Sequence, residues 1–109
     1  MADNQSLRGT LNLLVLGVLS RRKRLSGYAI QQAIEMTSKG KLPVKDSSLY
    51  PALDRMHKAG WVLCTTVRKN GQDASLWQLS SEGEKQFDAE KLRWEEFRLG
   101  VYGVLRRRP

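Results

Sequence analysis

Ser47, Ser48, Pro51, Arg55 and Lys58 recur at the spacing of one helical face, while Leu49, Leu53, Met56 and Gly60 recur on the opposite one. The first face carries short hydroxyls and cations, which hydrogen-bond to phosphates and base edges. A helix start adds unpaired N–H groups that attract anions, and Lys45 supplies a further cation just before it. Downstream, Arg68, Lys69 and Asn70 lead into Gly71. Asn-Gly between alternating segments is a strong two-residue hairpin signal. A helix with a polar contact face, followed by a basic hairpin, predicts a winged-helix binder of double-stranded DNA.

The rest of the chain supplies a frame for that helix. Residues 7–19 are apolar on most sides, so a first helix buried against several neighbours is expected, with Ser6 at its N-cap. A charged connector follows over residues 20–24. Ser26 caps a second helix that lines up Ile30, Ala33, Ile34 and Thr37, turns Gln31, Gln32 and Glu35 to water, and stops at Gly40. The third helix is capped by Asp46 or Ser47 and closed by Gly60; Pro51 lies about one turn in, where the missing donor costs less. Residues 61–69 and 72–79 alternate as two strands. Ser81 and Glu84 make a capping box for a long last helix. The fold class expected is mainly α with a small β-hairpin: residues 1–79 a winged helix-turn-helix and residues 80–109 a C-terminal helix. Phe87, Trp94, Phe97, Val101 and Val104 repeat at seven-residue spacing along it, broken at Glu90. A lone amphipathic helix must bury its stripe, so a homodimer is expected through these five positions. Trp94 and Phe97 are also candidates for a pocket taking a small aromatic ligand.

Composition agrees with a polyanionic partner. The 109 residues carry a formal net charge of +8, which favours nucleic acid over membrane. Cys64 is the only cysteine, so no intrachain disulfide can form, which fits a reducing cytoplasm. No apolar run is long enough to cross a bilayer, and no signal peptide is read at the N-terminus. His57 is the only histidine; with one cysteine it builds no metal site. No Gly-rich phosphate motif is present. No enzyme activity, cofactor or metal is therefore expected.

Several stretches together resemble the PadR family of transcriptional regulators: Leu13-Leu14-Val15-Leu16 with Gly17-Val18-Leu19; Ser26-Gly27-Tyr28-Ala29-Ile30; Ser48-Leu49-Tyr50-Pro51-Ala52-Leu53 with Arg55-Met56; Ala59-Gly60-Trp61-Val62; and Trp77-Gln78-Leu79-Ser80 with Gly83. The resemblance implies a dimeric winged-helix repressor on palindromic promoter DNA, in the short subfamily with a single C-terminal helix. It also implies that small aromatic compounds can bind between the subunits. Tyr50 reads either as core-edge packing or as a phosphate contact, and the resemblance adds weight to the contact. The chain departs from the family at three places. Ser47 stands where a glycine is usual, and His57 where a carboxylate is common. The returning strand carries Asp73 and no cation, where basic residues are usual. The cations of residues 21–24 are expected to supply phosphate contacts that this wing lacks. A second reading, favoured by the poor wing, is a winged-helix module that binds a protein or structured RNA.

Overall fold

The computed structural model describes residues 2–21 and 24–106, with side chains from Thr10 onward. Among the described residues the chain forms α1 (Ala2–Arg21), α2 (Gly27–Thr37), α3 (Asp46–Lys58), β1 (Val62–Lys69), β2 (Gln72–Leu79) and α4 (Ser81–Leu105). This is the winged helix-turn-helix order with one added helix, and it is mainly helical as expected. Ser6 lies inside α1 rather than at its start. Arg22 and Lys23, in the expected connector, and Arg107 and Arg108 lie outside the described residues.

The buried core is built from one side of each of the first three helices and the start of β1. Val15, Leu16 and Leu19 of α1 meet Ile30 and Ile34 of α2, Leu49, Ala52, Leu53 and Met56 of α3, and Val62 of β1. Each fully buried large side chain stabilises the fold by roughly 1.5–3 kcal/mol. Leu11, Leu14 and Val18 flank this cluster half-buried, so α1 is the central helix, as its apolar composition predicts.

The helix ends show where local signals hold and where they slip by a residue. Ser26 caps α2 as expected, its hydroxyl accepting from the Ala29 N–H at 3.1 Å. At the other end α2 stops before Gly40. Lys39 already takes a left-handed φ of 55°, and the Gly40 N–H reaches back to the Glu35 carbonyl. Neither Asp46 nor Ser47 caps α3: the N-cap is Lys45, without a side-chain bond, and Asp46 is already helical. Val44 packs against the core and its carbonyl accepts from Gln31 Nε2, so the chain is turned into the helix one residue early. Gln31, expected in water, is therefore half-buried and fixes the approach to α3. Gly60 closes α3 with φ 84°, and the Trp61 N–H bonds the Met56 carbonyl. Trp61 is thus spent on closing the helix, and the strand starts at Val62.

The hairpin pairs antiparallel from Val62↔Leu79 to Lys69↔Gln72. Asn70 and Gly71 take φ 53° and 76°, the twist that a two-residue hairpin requires. Leu25 adds a bridge to its base: Leu25 and Trp77 exchange backbone hydrogen bonds at 3.0 and 2.7 Å. Cys64, opposite Trp77 on β1, is half-buried. For α4 the cap is Ser80 rather than Ser81. Its hydroxyl accepts from the Gly83 N–H at 3.0 Å and faces the Gly60 and Trp61 carbonyls at 2.6 and 3.1 Å. Those carbonyls belong to the α3–β1 corner, so a tertiary contact chooses which serine caps.

Candidate nucleic-acid interface

α3 presents its polar face intact. Lys45, Ser47, Ser48, Pro51, Arg55 and Lys58 are all exposed, opposite the buried Leu49, Ala52, Leu53 and Met56. The missing side-chain cap leaves first-turn N–H groups of α3 open to water or an anion. Asp46 occupies the same turn and lowers the positive potential there. Asp54 does likewise at the far end, with its carboxylate 3.7 Å from Lys58 Nζ. That pair is highly exposed and holds Lys58 weakly. Arg55 is exposed on the middle of the face.

Tyr50 stands on the flank of α3 and packs across the first turn of α2. A methyl carbon at Gly27 would lie 2.6 Å from both Cε1 and the phenol oxygen of Tyr50. Gly27 is therefore what lets the two helices meet with the phenol between them. Tyr50 remains 45% exposed, so it packs at the core edge with part of its side chain open to solvent. One residue after Gly27, Tyr28 is exposed and its phenol oxygen accepts from Gln32 Nε2 at 2.9 Å. Tyr28 was not among the expected contact residues. Its place in the first turn of the Ser26-capped helix is legible in the sequence, but the packing of that turn against Tyr50 is visible only in three dimensions. Arg24 is also exposed, one residue before the Leu25–Trp77 bridge, and so lies near the base of the hairpin.

The wing tip holds Arg68, Lys69 and Asn70, all exposed. Arg68 is not free: its Nη1 lies 3.3 Å from Asp73 Oδ1, directly across the hairpin. A two-residue turn at Asn70-Gly71 places residue 68 opposite 73, so the pairing was open to a reading of the register. His57 and Trp77 pack edge to face, with centroids 6.1 Å apart and planes at 83°. It therefore faces the hairpin and lies off the polar face of α3.

Two parts of α4 behave differently. Phe87 packs against the core of its own chain, over Gly17, where an added methyl carbon would lie 3.4 Å from its ring. It anchors α4 to α1. Beyond it, Trp94, Phe97, Val101 and Val104 are exposed. Glu90, at the break in the repeat, accepts from Gln86 Nε2 and pairs with Arg93, both at 2.9 Å. The Trp94 and Phe97 rings are 5.9 Å apart and border a shallow cleft with Val101 and Tyr102. Trp94 also edges a groove of about 410 Å³ between α1, α2 and α4, lined by Leu13, Leu14, Val18, Ile34 and Phe87. No helix of the described residues is long and apolar enough to cross a membrane. The described residues contain no group of three His, Cys, Asp or Glu side chains placed to hold a metal ion.

A family model described as the transcriptional regulator PadR-like family matches residues 15–89. No match is found among curated protein sequences. Several solved structures share the fold. A transcriptional regulator from Clostridium thermocellum is 20% identical with a TM-score of 0.83, the match covering 90% of this chain and 95% of that one. A protein from Streptococcus mutans is 26% identical with a TM-score of 0.78, covering 94% and 93%. A PadR family transcriptional regulator from Eggerthella lenta is 24% identical with a TM-score of 0.79, covering 98% and 92%.

Proposed function

The chain belongs to the PadR-like family of transcriptional regulators, and we propose that it binds double-stranded DNA as a homodimer and represses transcription from palindromic promoter sites in the cytoplasm. The observation that carries this reading is the exposed polar face of α3, opposite a wholly apolar buried one. In this reading residues 1–79 are the DNA-binding unit. Ser47, Ser48 and Arg55 enter the major groove; Lys45, Tyr50 and Lys58 hold phosphates; Lys69 and Asn70 of the wing approach the backbone. Within residues 80–109, α4 is the dimerisation helix, and the exposed Trp94, Phe97, Val101 and Val104 support that role. Two-fold symmetry then sets the two α3 helices about 34 Å apart along the duplex.

Selection of bound sequences from a random duplex pool tests the reading. It should return an inverted repeat with half-sites about one turn apart. Arg55→Ala should weaken binding to the selected site by roughly 1–3 kcal/mol and relax preference at one base position per half-site. Recovery of no sequence, with no salt-dependent affinity for any duplex, would sink the proposal.

The Trp94–Phe97 cleft supports binding of a small aromatic ligand that shifts the dimer between two forms. A variant retaining Trp94 as its only tryptophan should show saturable quenching by a planar aromatic dye. A flat titration would remove the ligand from the scheme.

A further inference from the structure

The charged side chains of the hairpin, residues 62–79, are Arg68, Lys69 and Asp73. Two of the three are spent on each other. Arg68 Nη1 and Asp73 Oδ1 lie 3.3 Å apart, and their residues are direct cross-strand partners. Side chains alternate along a strand, so Arg68 and Asp73 share a hairpin face with Cys64 and Trp77. Trp77 meets His57 of α3, so the ion pair stands on the face that continues from the recognition helix. The turn fixes this register, and a slip of one residue would put the two charges on opposite faces.

We propose that Asp73 withholds Arg68 from DNA, so that it sets how much sequence-independent affinity the wing supplies; this rests on the DNA reading above. Both side chains are mostly exposed, 72% and 66%. An exposed pair of this kind is weak, so a DNA phosphate can compete for the guanidinium. The competition has a cost that a lone wing arginine lacks. Moving Arg68 to a phosphate leaves the Asp73 carboxylate unpaired beside a polyanion. The wing then engages the backbone with Lys69 and little else, and affinity depends on α3.

The test is a double-mutant cycle of full-length wild type, Asp73→Asn, Arg68→Gln and the double variant. Each is titrated with a mixed-sequence duplex across a salt series. Asp73→Asn should tighten binding about three- to fivefold, and should steepen the salt dependence by about one phosphate contact. With Arg68 already replaced, Asp73→Asn should change affinity by less than about twofold, the coupling of two contacting residues being lost. Equal tightening in both backgrounds would overturn the proposal, because the carboxylate would then act on DNA directly. So would a large loss from Arg68→Gln alone, because Arg68 would already be engaged. Thermal melts of all four proteins check that the hairpin persists; if Asp73→Asn perturbs it, Asp73→Thr carries the same comparison. A wild type without affinity for duplex DNA would instead bring down the DNA reading itself.

Discussion

Gly83→Ala is expected to destabilise the fold by about 3 kcal/mol or more, at the upper end of overpacking effects. A methyl carbon at this position would lie 1.9 Å from the Trp61 carbonyl oxygen and 2.9 Å from its carbon. Both are backbone atoms at the α3–β1 corner, so no side-chain rotation relieves the clash. Moving α4 away would also strain the Ser80 cap, which ties Gly83 to Gly60 and Trp61. A lost cap costs about 1 kcal/mol. Alanine gains at most about 1 kcal/mol over glycine in helix propensity, so the clash prevails. A melting temperature lower by about 10 °C or more should result. Gly103→Ala is the control in the same helix: nothing lies within 4 Å of its added carbon. That change should be neutral or slightly stabilising. A Gly83→Ala protein that melts like wild type would show that the corner can open freely, against the packing described here.

Phe97→Glu combined with Val101→Glu is expected to convert a dimer to a monomer and to weaken binding to a two-half-site operator by about a hundredfold or more. The factor is the effective-concentration advantage of linked half-sites, about 10²–10⁴. Phe97 is 62% exposed in the single chain, and Leu105 76%. With Trp94, Val101, Tyr102 and Val104 they form an apolar strip on the half of α4 that projects from the core. The dimer proposed above would bury this strip. Trp94, Phe97, Val101 and Val104 keep the 3–4–3 spacing of a coiled-coil seam. Both substitutions lie on exposed positions, so the fold of the single chain should survive. Sedimentation would show the mass halve while helix content stays high. A double-glutamate protein that remains a dimer would mean that association uses another surface, such as the groove beside Leu13, Leu14 and Val18.

These two substitutions probe different levels of organisation. Gly83 serves the single chain, joining α4 to the wing base, and Phe87 continues that seam along α1. The strip from Trp94 onward contributes nothing to the core. One helix is therefore both a structural element in its first turns and a free apolar surface in its last ones. The seven-residue repeat hides this change, because Phe87 and Trp94 occupy equivalent places in it. Burial by neighbouring elements decides which of them faces inward, and a repeat in one helix carries no record of those neighbours.

The same division runs through the chain. Periodicity, with the local turn and cap residues, yielded the element order, the polar face of α3 and the Asn-Gly turn between two paired strands. Each follows from interactions within a few residues: the 3.6 and 2.0 spacings of side chains, the left-handed φ of the turn, and glycine at the end of α3. The tertiary structure decided the rest. It chose Lys45 over Asp46 or Ser47 as the N-cap of α3, and Ser80 over Ser81 for α4: Gln31 holds the Val44 carbonyl just before the one, and the Gly60 carbonyl meets the Ser80 hydroxyl at the other. It also seated Tyr50 on Gly27 and gave Gln31 its structural bond. A short-range pattern fixes which way a side chain points from its own element; only the packed fold fixes what waits for it there.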